Sequence, residues 1–185
     1  FFLVVMAGLF IHFFITLPLL LKYMGKLSPV KHYRGMLSAL MTAFSTCSTI
    51  VTLPLTMKAV TEVSGASKKA AGFVLPIGAT INMDGTALYE CVATIFIAQV
   101  YGFDLGLAQQ GIIVLTAVLA SIGAASIPMS GLVMLSIILN AVGLPLEGVG
   151  MILAVDRILD MFRTTVNVFS DSVGTVIISR LEGDS

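Results

Sequence analysis

Charge is what this sequence has least of. Of its 185 residues only 11% are Asp, Glu, Lys or Arg, and tryptophan is absent. A soluble domain carries about a quarter charged residues, so a water-exposed globule is excluded. Cysteine is nearly missing as well. Cys47 and Cys91 stand far apart in apolar surroundings, with no CxxC or His/Cys spacing, and read as free buried thiols rather than a disulfide framework or a zinc site. Ten basic residues balance ten acidic ones without forming a tract, so nothing suggests nucleic acid as a partner.

What the chain has instead is apolar length. Its mean hydropathy is +1.04, and the run FFLVVMAGLFIHFFITLPLLL, Phe1 to Leu21, matches the roughly 20 residues that cross a bilayer as a helix. That run is too long for a signal peptide and lacks the small-residue cleavage pattern. The chain reads as an all-α, multi-pass protein of the cell membrane in contact with lipid. It opens in mid-hydrophobic run without an initiator Met, which points to further helices upstream.

Basic residues are distributed unevenly. Lys22, Lys26, Lys31, Arg34, Lys58, Lys68, Lys69 and Arg180 cluster at one set of loops, whereas 101–110 and 140–150 hold no Lys or Arg. The positive-inside rule places the first set in the cytoplasm and the second outside. Five segments follow: a spanning helix within 1–30, a segment 31–69, a spanning helix within 70–107, a segment 108–148, and a spanning helix with its tail over 149–185. Segments 31–69 and 108–148 must each return to the side they left. Each is broken by small or polar residues, STCST at 45–49 and SIGAASIPMSG at 121–131. Both read as re-entrant hairpins, whose tips survive at membrane depth only where protein or water surrounds them. Two interrupted segments of opposite topology suggest an inverted-repeat transporter with its site at the midplane.

The chemistry concentrates in RILDMFRTTVNVFSD, 157–171. On a helical wheel Asp156, Asp160, Arg163, Thr164, Asn167 and Asp171 share a face about 100° wide, opposite Ile158, Phe162, Val166 and Phe169. Charges at membrane depth are costly and face a partner or a cavity. An ion pair of Arg163 with Asp160 or Asp156 accounts for part of the stripe and leaves negative charge in excess. A second cluster, GATINMDGTALYE at 78–90, interrupts a spanning helix at its middle. An unwound turn there frees carbonyls, which together with Asp84 suit a hard cation. Gathering Asp84, Asp156, Asp160 and Asp171 around one Arg163 in low dielectric calls for cations, and the more so when an acidic guest arrives. Guest and cation then tighten each other, as in a symporter. His12 and His32 carry no motif and read as structural, and the ten Met residues as packing filler. Tyr89 and Glu90 could face the cavity, but nothing in the sequence distinguishes them.

At NMDGT (82–86) and DRILDMFRTTVNV (156–168) the sequence resembles the glutamate transporter family, the dicarboxylate/amino acid:cation symporters. The resemblance runs over nearly the whole chain. It implies helices 6 to 8 and both hairpins of a homotrimeric carrier of L-aspartate or L-glutamate that moves by an elevator motion. The trimerisation scaffold would lie upstream. Asp160 would take the substrate amino group, Arg163 with Thr86 the side-chain carboxylate, and Asn167 the α-carboxylate, with Thr164 beside them. The hairpin tips Cys47, Ser48, Thr49 and Ile127 to Gly131 would contribute backbone groups. One sodium ion (Na+) would bind among Gly78, Asn82, Asn167 and Asp171, and a second among Thr80, Ser121, Ile122 and Ala124. A third would use Asn82 and Asp84 with ligands from an upstream helix.

Arg163 selects an acidic substrate because a guanidinium fork matches a carboxylate. Proton-coupled relatives carry Asn where Asp171 stands and Lys where Ile122 stands, which favours sodium, with a proton-coupled glutamate or dicarboxylate symporter as the alternative. The first tip, TCSTIV at 46–51, is bulkier than the family's serine run, Ser126 replaces its usual Gly, and neither Cys47 nor Met161 is the Arg often found there. An intramembrane aspartyl protease built on Asp84 and Asp160 lacks a GxGD signature and leaves Arg163 and the hairpins unexplained. An anion channel stays open as a third reading.

Overall fold

A computed structural model describes residues 1–123 and 129–183, and every element among them is helical. Helix α1 (Phe2–Ile11) continues through a π-turn (His12–Thr16) into α2 (Leu17–Tyr23). Pro18 explains the wide turn: its missing N–H removes the α-helical bond to the carbonyl of Phe14 and, in the wider register, leaves no donor for the carbonyl of Phe13. That carbonyl instead accepts a hydrogen bond from the Tyr33 hydroxyl.

Helix α3 (Pro29–Thr46) starts on a proline at its first position, where a missing N–H costs nothing. It stops at Cys47, whose φ of 51° is left-handed. The chain reverses through Ser48, whose hydroxyl caps α4 (Thr49–Glu62) by accepting from Val51 N–H at 3.3 Å. Helices α3 and α4 pack against each other as a hairpin. Ser67 caps α5 (Lys68–Ile81) in the same manner, through Ala70 N–H at 3.0 Å.

Asn82 and Met83 then leave helical geometry, with ψ of 78° and 57°, before α6 (Asp84–Val100) begins. Asp84 occupies the first turn of α6, where the helix dipole favours a carboxylate. Helices α7 (Leu107–Ile122) and α8 (Ser130–Val142) pack on each other, and α8 ends on Gly143 at φ 73°, a left-handed C-cap. A 3-10 turn (Leu146–Met151) leads into α9 (Leu153–Leu181), whose 29 residues run about 43 Å.

Helix α9 is the axis of the fold and packs on α1, α3, α4, α5 and α6. Its apolar side chains Leu159, Val166, Phe169 and Val176 are buried, and so are Asp160, Arg163, Asn167 and Asp171. The polar stripe therefore faces protein, and much of the opposite face does too. Phe169 stacks on Tyr33 with centroids 4.3 Å apart.

Of the three segments read as spans, Phe2–Tyr23 is the single run among the described residues that is long and apolar enough to cross a membrane. The second divides at Asn82 and Met83. The third has the length, but its polar stripe dilutes its hydropathy. Helices α7 and α8 are apolar and too short to cross alone.

Candidate substrate and cation site

Arg163 is the centre of the site and only 1% exposed. Its Nη2 donates to Asp160 Oδ1 at 2.9 Å, one helical turn away, while Nη1 lies 3.2 Å from Asp156 Oδ1 on the other side. Both ion pairs considered from the sequence are thus present at once. The guanidinium also lies over the Tyr89 ring, 3.8 Å from its centroid, a cation–π contact that fixes its plane. Beside Tyr89, the carboxyl of Glu90 is fully buried with neither oxygen hydrogen-bonded among the described residues.

Two backbone segments close on this centre. Met129, with a left-handed φ of 65°, donates its N–H to Asp160 Oδ2 at 3.1 Å. Gly131 lies against the guanidinium, where a Cβ would stand 2.9 Å from Nη1. From the α3–α4 tip, Cys47 lies in the neighbourhood of Asp160, and the Thr49 hydroxyl donates to the Ala79 carbonyl at 2.7 Å. Cys47, Ser48, Thr49, Gly131, Asp160, Arg163 and Thr164 are all buried here. Ile127 and Ala124 lie outside the described residues.

Asn167 joins α9 to the start of α6. Its Oδ1 accepts from Gly85 N–H at 2.8 Å and its Nδ2 donates to Thr86 Oγ1 at 3.1 Å. One turn further along α9, Asn82 Nδ2 donates to Asp171 Oδ1 at 3.0 Å and to Ser170 Oγ at 3.1 Å. Asp171 approaches α5 so closely that a Cβ on Gly78 would sit 2.6 Å from its Oδ1. These groups border a cleft of about 380 Å³ between α2, α5 and α9. A carboxylate, an amide and the carbonyls of an unwound turn form an oxygen donor set that suits a hard cation. Among the described residues no cluster of three or more His, Cys, Asp or Glu suits a transition metal.

The other expected ion ligands are less gathered. Thr80 is exposed and its hydroxyl donates to Ile77 O within α5, while Ser121 donates to Val118 O within α7. Ile122 is 42% exposed. Asp84, expected to await an upstream helix, accepts from Gly85 N–H and lies 2.7 Å from Nε2 of His12. The sequence did not foresee that partner. Its only trace was a lone histidine on an apolar helix.

The sequence profile of the sodium:dicarboxylate symporter family matches residues 1–181. The chain belongs to this family. It is 51% identical to mouse excitatory amino acid transporter 3 over 96% of its length and 34% of that protein's. Identity to rat excitatory amino acid transporter 1 is also 51%, over 96% and 33%. An excitatory amino acid transporter of Caenorhabditis elegans is 49% identical over 94% of this chain and 35% of its own. The chain thus spans about a third of the length of these relatives. Family and relatives are transporters rather than enzymes, which removes the protease reading of Asp84 and Asp160.

Proposed function

We propose that this chain forms the substrate- and ion-binding part of a sodium-coupled symporter of acidic amino acids, L-aspartate or L-glutamate. The observation that carries the reading is Arg163, buried among Asp156, Asp160 and Tyr89. A guanidinium held this way offers a substrate carboxylate two-pronged recognition. Asp160 offers the substrate ammonium a carboxylate three residues away on the same face. Asp160 is bonded to Arg163 and to Met129 N–H, so a substrate enters by exchange: its ammonium takes over Asp160 as its side-chain carboxylate takes over Arg163.

Thr86 assists Arg163 at the side-chain carboxylate, Asn167 takes the α-carboxylate, and the tips at Cys47–Thr49 and 127–131 contribute backbone groups. Sodium is carried as a second cargo. Gly78, Asn82, Asn167 and Asp171 supply one set of oxygens, Thr80 with Ser121, Ile122 and Ala124 another, and Asn82 with Asp84 a third. Excess negative charge in the buried chamber makes cation and substrate mutually dependent.

The segments 31–69 and 108–148 act as re-entrant hairpins in a multi-pass unit of the cell membrane. The α7–α8 hairpin opens as the gate, and the unit travels across the bilayer by an elevator motion against a homotrimeric scaffold formed by other parts of the protein. Aspartate uptake into liposomes tests the coupling. Replacing external sodium with choline should abolish uptake, and uptake undiminished in choline would favour a proton-coupled carrier instead.

A further inference from the structure

Both hairpins reach α9, α7–α8 at its tip through Met129 N–H to Asp160 and α3–α4 also at its foot. In α7–α8 the hydroxyls of Thr116, Ser121 and Ser136 each donate to a carbonyl of their own helix. In α3–α4 a polar relay crosses to α9. His32, in the first turn of α3, is completely buried. Its Nδ1 lies 2.7 Å from Ser64 Oγ and its Nε2 lies 2.8 Å from Ser172 Oγ.

The direction of this relay follows from its far end. Ser172 donates its one hydroxyl proton to Phe169 O at 2.6 Å, so towards His32 it can only accept. Nε2 therefore carries the hydrogen and Nδ1 accepts from Ser64, an assignment that rests on the network. Full burial with hydroxyl groups as its hydrogen-bond partners favours the neutral imidazole, and each group is then used once. Along the same seam, Ser67 N–H donates to Ser179 Oγ at 2.9 Å. The imidazole also packs on Phe169, 5.3 Å between centroids.

We infer that His32 is a positioning residue that bolts the foot of the α3–α4 hairpin to α9, so that the tip at Cys47 stays seated beside Asp160 while the other hairpin moves. Fifteen residues separate His32 from Cys47, a lever of about 22 Å. What the tip touches in transport rests on the proposed function, but the bolt itself does not. Of the two bonds, the one to Ser172 joins hairpin to axis.

Alkylation of the native cysteines by N-ethylmaleimide in the full protein, embedded in liposomes, tests this. Cys47 and Cys91 are followed as separate peptides by mass. Cys47 is buried at the tip, while Cys91 lies half-buried on α6 and reports general loosening. His32→Phe keeps a ring and loses both bonds, and Ser172→Ala loses the α9 bond alone. Each should speed Cys47 labelling about tenfold, the scale of one buried hydrogen bond, and leave Cys91 unchanged.

Combining the two variants should add nothing further. His32→Gln can still donate to Ser172 and should restore the wild-type rate, whereas His32→Asn reaches only Ser64 and should not. Unchanged Cys47 labelling in His32→Phe overturns the inference. So does acceleration at both cysteines, or equal behaviour of the Gln and Asn variants. Aspartate uptake is read on the same liposomes. A wild-type protein that fails to take up aspartate sinks the transport reading and leaves the labelling contrast to be judged by itself.

Discussion

Gly131 and the guanidinium of Arg163 lie in direct contact: a Cβ on the glycine would stand 2.9 Å from Nη1 and 3.2 Å from Cζ. The start of α8 therefore rests on the group proposed to select the substrate, and the contact leaves no room for a side chain unless the guanidinium shifts. Gly131→Ala must push the guanidinium by a few tenths of an ångström. Overpacking of this kind costs about 1–3 kcal/mol. We expect aspartate affinity to fall about tenfold or more, measured by calorimetry, with the sodium dependence kept. Unchanged affinity would mean that hairpin and arginine are not coupled.

Removing the arginine has two consequences. Arg163→Thr should abolish aspartate binding and leave room for small neutral amino acids. It also strands Asp156, which is fully buried and, among the described residues, has no hydrogen bond beyond its ion pair to Arg163. Breaking a buried pair from one side costs about 3–5 kcal/mol, so the melting temperature should fall as well. Adding Asp156→Asn should recover much of that loss without restoring aspartate binding. Aspartate affinity that survives in Arg163→Thr would refute the assignment.

Asp171 and Gly78 give a prediction for sodium. Alanine at 78 would place its Cβ 2.6 Å from Asp171 Oδ1 and displace the carboxylate from Asn82. Gly78→Ala should move the sodium midpoint for aspartate binding to about tenfold higher concentration, while affinity at saturating sodium largely recovers. A midpoint that stays put would exclude Asp171 as a sodium ligand.

What could be read from the residues differs between elements. The polar stripe of α9 was legible because six side chains at helical spacing within an apolar stretch define one face whatever packs against it. The break at Asn82 and Met83 was legible because Asn, Asp and Gly crowd the middle of a helix that apolar residues otherwise fill.

Contacts between distant helices were not legible. His12 meets Asp84 across 72 residues, and His32 meets Ser172 across 140. Periodicity gives the face of a helix, but not its rotation against a neighbour, and these bonds depend on that rotation. The π-turn at His12–Thr16 adds to this. It shifts the register of α2 relative to α1, and its cause, Pro18, looks in the sequence like an ordinary proline in an apolar run.

Coupled transport as proposed requires that the buried, acid-rich chamber accept a dicarboxylate guest only alongside cations. Calorimetric titration of the purified full protein with aspartate, with sodium and with choline in its place, tests that directly. We predict no measurable binding in choline and an affinity that rises more than in proportion to sodium concentration. Equal aspartate affinity in the two salts would contradict it.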